Sequence, residues 1–278
     1  MKTLSLGYSP CPNDTFIFYA LVHGKLPTGD LRFREILEDV ETLNQMARRA
    51  ELDITKASFH AYGHLREQYC LLRSGGALGK GCDPLLVARE GYGMGDLMGK
   101  TIAIPGRLTT AFLLLQIFDP SLKENVKVMP FNEIMDSVAR GKTEAGLIIH
   151  ESRFTYQRAG LKKVMDLGEW WERETGLPLP LGGILAKRTF GADLIRKIES
   201  LIRNSVEYAF LKRDESLSYI KRYSQEMEDD VIEKHINLYV NQYSLDVGND
   251  GTLAIDELFR RSEEKGIIEK SSQPLFAK

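Results

Sequence analysis

The apolar positions of this chain follow two rhythms that trade places along its length. Leu4-Ser5-Leu6-Gly7-Tyr8 sets large apolar side chains at every second position, the period of a strand with one buried face. Leu31-Arg32-Phe33-Arg34-Glu35-Ile36-Leu37 does the same, and residues 52–58 predict a third strand. Between the first two, Ser9-Pro10-Cys11-Pro12 stiffens a turn and Ile17, Tyr19, Ala20 and Leu21 carry a helix towards Gly24. Asn13 or Asp14 is the expected cap of that helix. Another helix opens at Glu38-Asp39-Val40-Glu41, whose acids match the positive end of a helix, and closes near Ala50.

The rhythm restarts further on. Residues 83–89 read as a strand, and Glu90-Gly91-Tyr92-Gly93-Met94-Gly95 as a flexible crossing between two units. Strands at 100–104, 126–129 and 147–149 alternate with helices that start near Thr109 and span 132–140, a β-α-β-α-β order that predicts a parallel sheet. A helix ends at Gly176, two prolines keep 177–183 extended, and Ile184-Leu185-Ala186-Lys187 forms the return crossing. From Gly191 the chain is helical: Leu194, Ile195, Ile198, Leu201, Ile202, Val206 and Ala209 keep helical spacing. Further helices are expected at about 214–223, 229–241 and 251–265, with the last dozen residues as a surface strap. Two α/β units joined by two crossings predict a hinge over a cleft, with 1–89 and 186–278 as the larger lobe and 90–185 as the smaller.

Composition narrows the function. At 278 residues, 43% hydrophobic and 27% charged, the chain can fill two cores. A net charge of −2 argues against a nucleic-acid surface. No stretch is long and apolar enough for a membrane span, and the start reads as a strand, not a secretory leader. Cys11, Cys70 and Cys82 are odd in number and make no C-x-x-C pair, so reduced thiols in a cytoplasm are expected, with no metal.

Chemistry is expected where strands end. Leu147-Ile148-Ile149 runs straight into His150, and ligands in open α/β sheets sit beyond such ends. Lys56 and Ser58 reach the same kind of edge, where a cation or hydroxyl can hold a carboxylate; a helix cap by Ser58 explains that serine equally well. Thr109 and Thr110 begin a helix whose free N–H groups make either an anion seat or a plain capped start. The turn at 9–16 carries the same two readings. His60 and His64 lie four apart, but Ala61 stands where H-E-x-x-H needs a glutamate, so the pair reads as structural. The glycine-rich 73–81 lacks a full P-loop and reads as a turn.

Several of these stretches resemble the 1,4-dihydroxy-6-naphthoate synthase family, lyases of the futalosine route to menaquinone. The likeness rests on Ser9-Pro10-Cys11-Pro12-Asn13-Asp14-Thr15-Phe16, on Glu38-Asp39-Val40-Glu41-Thr42-Leu43-Asn44, and on Gly146-Leu147-Ile148-Ile149-His150-Glu151-Ser152-Arg153-Phe154-Thr155. Arg73-Ser74-Gly75-Gly76-Ala77-Leu78-Gly79, Thr175-Gly176-Leu177-Pro178-Leu179-Pro180-Leu181-Gly182, and Tyr239-Val240-Asn241 with Ser244-Leu245-Asp246-Val247-Gly248 extend it to nearly the whole chain. The resemblance implies an α/β, two-lobe fold similar to type 2 periplasmic binding proteins, each lobe a mixed sheet flanked by helices. It implies conversion of cyclic dehypoxanthine futalosine, a small-molecule carboxylate, to 1,4-dihydroxy-6-naphthoate, without cofactor or obligate protein partner. It assigns the catalytic base to His150 and substrate contacts to Lys56, Ala57, Ser58, Thr109, Thr110 and Ala111. A chorismate dehydratase of the same pathway, or a carboxylate-binding protein without catalysis, would share the architecture.

Overall fold

The alternating segments near the amino terminus pair side by side. In the computed structural model, which describes residues 1–82, 84–224 and 228–277, they are β1 (Lys2–Tyr8), β2 (Leu31–Leu37) and β3 (Ile54–Ser58). The helices α1 (Pro12–Val22), α2 (Val40–Arg48) and α3 (Phe59–Leu65) follow them in turn, and β4 (Tyr69–Leu71) and β5 (Ala77–Gly79) close this part. The middle of the chain gives β6 (Leu85–Ala88), β7 (Ile102–Ile104), α4 (Thr110–Phe118), β8 (Val126–Val128), α5 (Phe131–Ala139) and β9 (Ala145–Ile148). It continues through α6 (Ser152–Thr155), β10 (Lys162–Asp166) and α7 (Leu167–Thr175). The last part is β11 (Leu179–Lys187) and then helices α8 (Gly191–Leu211), α9 (Leu217–Tyr223), α10 (Asp229–Tyr239), α11 (Gln242–Leu245) and α12 (Gly248–Glu264).

Two sheets result. The first runs β2-β1-β3-β11-β4, with β5 also on β11; β1 is parallel to β2 and β3, and β11 is antiparallel to β3, β4 and β5. The second runs β10-β6-β9-β7-β8. Here β7 is parallel to β8 and β9, as the β-α-β-α-β order predicts, while β6 and β10 run antiparallel and make the sheet mixed.

The strand at 85–88 differs from the sequence reading. It was expected to finish the larger lobe, yet it pairs with β9 and β10 in the second sheet. Its four residues are all buried, and a strand buried on both faces needs partners on both edges, which β9 and β10 supply. The chain therefore changes sheet between β5 and β6, ahead of the glycine run at 91–95, and returns between β10 and β11; the expected return crossing at 184–187 instead lies inside β11, held there by its pairing with β3 and β4. The predicted strand's first residue, Asp83, lies outside the described residues. The glycine-rich stretch is also more than a turn, because Ala77–Gly79 pairs with β11. In α1 the N-cap is Cys11 and Pro12 takes the first helical position, so Asn13 and Asp14 fall inside the first turn and do not cap.

One apolar cluster spans both sheets, from Phe59, Tyr62 and Leu71 through Phe112 and Leu113 to Ile102 and Leu147. It seats α4 at the junction. A second cluster packs β1 under α1 and α8, where Ile195, Ile198, Leu201, Ile202, Val206 and Ala209 are buried as their spacing predicts. A third fills the other face of β9 against Ile134 and Val138 of α5. The carboxyl-terminal strap is tied down: the Leu275 carbonyl accepts from the Leu71 N–H and the Tyr62 hydroxyl. No helix among the described residues is long and apolar enough to cross a membrane.

Candidate functional site

A pocket opens between the two sheets. The turn after β1 contributes Ser9, Asn13 and Asp14; the end of β3 contributes Lys56, Ala57 and Ser58; the start of α4 contributes Thr109, Thr110 and Ala111. Ile149 and His150 come from beyond β9, Leu181 and Gly182 from β11, and Tyr239 from α10. All seven residues that the sequence singled out thus lie on one wall system. Gly182 is required there, because a Cβ would stand 2.8 Å from the Ala57 carbonyl oxygen across the β3–β11 ladder.

The two-residue period of β3 turns Lys56 and Ser58 to the same side. Lys56 is not a loose cation. Its Nζ donates to Asp14 Oδ1 at 2.8 Å and to the Gly75 carbonyl at 3.4 Å, both buried. Asp14 Oδ2 accepts from the Ser9 N–H at 3.2 Å and the Ser9 hydroxyl at 2.9 Å, and Asn13 Nδ2 donates to Oδ1 at 2.8 Å. A buried charge pair needs such saturation, since any bare charge in the interior is costly. Ser58 does not cap α3. Its N–H donates to Asn44 Oδ1 at 2.9 Å and its Oγ accepts from Asn44 Nδ2 at 3.1 Å, which leaves the hydroxyl proton for a pocket acceptor. Asn44, which holds Ser58, is not singled out by the sequence; an asparagine on the inner face of an amphipathic helix was the available signal.

At the start of α4 the two threonine hydroxyls are both engaged. Thr109 Oγ1 accepts from the Phe112 N–H at 3.3 Å and donates to the Gly106 carbonyl at 2.8 Å, a true cap. Thr110 Oγ1 accepts from the Phe59 N–H at 2.9 Å and donates to the Leu181 carbonyl at 2.5 Å, so it ties α4 to the first sheet. The Thr110 and Ala111 N–H groups donate to no acceptor among the described residues. They are the donors an anion would meet.

His150 stands two residues past the end of β9, in the left-handed backbone region at φ +58°. That turn leaves the direction of the strand and swings the half-buried ring to the pocket. The ring edge meets Phe131 at 5.0 Å between centroids and lies nearly parallel to His235 at 6.2 Å. Burial pushes its pKa down to about 4; Asp14 works against that and Lys56 with it. The imidazole is therefore unprotonated at neutral pH. Cys11, His150 and Glu151 bring a thiol, an imidazole and a carboxylate within 4.8 Å of one another, a donor set of the type that holds a divalent metal. His60 and His64 form no part of that group; their rings lie 5.4 Å apart on α3. His235, buried on α10 with Nε2 2.8 Å from Asn13 Oδ1, is not singled out by the sequence.

Two mixed sheets with flanking helices and a ligand cleft at their strand ends make this a protein of the periplasmic-binding-protein-like class. Solved structures share that shape: a Candida albicans protein described as having the generic periplasmic binding protein fold (TM-score 0.71, 16% identity, covering 98% of this chain and 92% of that one). The alkanesulfonate-binding protein of Xanthomonas axonopodis pv. citri, bound to MOPS, matches at a TM-score of 0.71 and 13% identity over 96% of this chain and 94% of that one. A crystal structure from Archaeoglobus fulgidus is nearer, with a TM-score of 0.90 and 35% identity over 96% and 98% of the two chains. A family model described as menaquinone biosynthesis matches residues 4–264. Two 1,4-dihydroxy-6-naphthoate synthases align over nearly the full length. That of Thermus thermophilus is 50% identical over 276 residues (99% of this chain, 100% of its own). That of Streptomyces coelicolor is 44% identical over 270 residues (96% and 95%). The chain belongs to the menaquinone biosynthesis family, among its 1,4-dihydroxy-6-naphthoate synthases.

Proposed function

We propose that the chain converts cyclic dehypoxanthine futalosine to 1,4-dihydroxy-6-naphthoate with His150 as general base. The observation that carries this reading is the pairing, within one pocket, of an unprotonated imidazole with the open N–H groups of Thr110 and Ala111. The substrate's aryl carboxylate sits at those N–H groups, where the helix start favours an anion, and the Ser58 hydroxyl donates to a further oxygen. Lys56 and Ala57 shape the wall between these donors. His150 removes the proton whose loss starts cleavage of the carbon–carbon and carbon–oxygen bonds, and the new aromatic ring supplies the driving force. The Asp14 carboxylate favours the imidazolium that forms. A base in this position contributes about 10²–10⁴ in rate. Closure of the lobes over the substrate excludes water from the eliminating intermediate.

His150→Asn tests the assignment. Asparagine tolerates the left-handed backbone at 150 but supplies no base. The variant is expected to bind 1,4-dihydroxy-6-naphthoate as the parent does and to lose at least about 10² in turnover. Undiminished turnover would remove His150 from the mechanism. Assays with chorismate and with the cyclic futalosine distinguish this reading from a dehydratase, and binding without turnover of either would leave a carboxylate receptor.

A further inference from the structure

The His150 ring has no hydrogen bond to hold it among the described residues; two ring contacts, to Phe131 and His235, set its plane. A basic imidazole is ordinarily oriented through its second nitrogen, so the contact that replaces this bond matters. His235 does not line the pocket and stands behind its wall. It is fully buried on a helix face otherwise made of Val231, Ile232, Ile236 and Tyr239.

Its protonation pattern follows from its neighbours. Asn13 Nδ2 donates to the Asp14 carboxylate, so Asn13 Oδ1 must face His235 and must accept. The proton of His235 therefore sits on Nε2. Nδ1 keeps its lone pair, buried and without a hydrogen-bond partner among the described residues. The Nε2–H satisfies Asn13 Oδ1, which an apolar residue at 235 would leave orphaned at a cost of about 1–3 kcal/mol, while Nδ1 stays unused. Packing alone does not account for a histidine here.

We infer that His235 is a positioning residue for the reaction: its ring face fixes the orientation of His150, while its Nε2–H serves only to satisfy Asn13 Oδ1. The inference rests on His150 being the base. Burial, His150 and Lys56 all keep His235 uncharged, so it supports the base without competing for its proton.

Two variants separate the ring from the donor. His235→Phe keeps the ring and loses the N–H; His235→Gln keeps an N–H and loses the ring. With the folded fraction counted by stoichiometric product binding, the Gln variant is expected to lose about tenfold or more in kcat with KM within about twofold. The Phe variant is expected to keep kcat within about threefold. A purely structural histidine gives the opposite order, because Phe leaves Asn13 Oδ1 buried and unsatisfied. Parent-like kcat in His235→Gln, or equal loss in both variants, overturns the inference. ¹⁵N-histidine NMR of the unmodified enzyme should show His235 protonated at Nε2 and bare at Nδ1; the other tautomer also overturns it. An active His150→Asn would instead sink the underlying base assignment, and the two failures are told apart by which variant misbehaves.

Discussion

Lys56 Nζ and Asp14 Oδ1 meet at 2.8 Å with 8% and 2% of their side chains exposed, joining the end of β3 to the first turn of α1. Both charges are largely withdrawn from solvent. Removing one partner strands the other in the interior, which costs about 3–5 kcal/mol in comparable buried pairs. Lys56→Met is expected to lose roughly 3 kcal/mol of unfolding free energy in urea titrations. Asp14→Asn should lose a similar amount, and the double variant clearly less than the two together, because the groups share one interaction. Additive losses would mean that the pair is not coupled.

Acid should weaken the fold before most carboxylates titrate. Burial, helped by His64, lowers the pKa of His60 to about 4, and burial lowers that of His150 to about 4 as well. In the unfolded chain both return to about 6.5. Between those values the unfolded state binds protons that the folded state refuses, so stability falls as pH drops from about 6.5 to about 4. His60, only 5% exposed, accounts for roughly 3 kcal/mol of that loss. His60→Gln is expected to flatten the decline of the urea midpoint across this window; an unchanged slope would contradict it.

Gly106 and Glu41 fit together across the two sheets. The Glu41 carboxylate accepts from the Leu108 N–H at 3.1 Å, and a Cβ at 106 would overlap that carboxylate. Gly106→Ala is expected to displace Glu41 and to cost about 1 kcal/mol, the worth of the lost bond. In a Glu41→Ala background the same glycine substitution should cost almost nothing. A full penalty in that background would place the strain elsewhere.

Much of this architecture is legible from period alone. The strands at 4–8, 31–37 and 52–58, the helix from Gly191, and the emergence of His150 at a strand end all follow from local rules that tertiary contacts reinforce. What local rules miss is partnership. Leu85–Ala88 reads as a strand, but nothing within four apolar residues says which sheet will accept it. Tyr69–Leu71 and Ala77–Gly79 are too short to show a period and exist because β11 offers them an edge. Thr109 and Thr110 line the pocket, yet their hydroxyls turn to protein carbonyls and the backbone beside them remains open. Asn44 and His235 escaped because a polar residue on a buried helix face announces itself only once its partners are known.

The three cysteines are all buried, in three different settings: Cys11 beside the pocket, Cys70 within β4, and Cys82 in the passage from the first sheet to the second. A soluble thiol reagent therefore reads opening, not surface. Its three labelling rates would clock separate events: opening beside the first turn of α1 at Cys11, opening of the passage between the sheets at Cys82, and loss of the larger sheet at Cys70. With no engineered cysteine, the chain carries its own probes for telling breathing apart from unfolding.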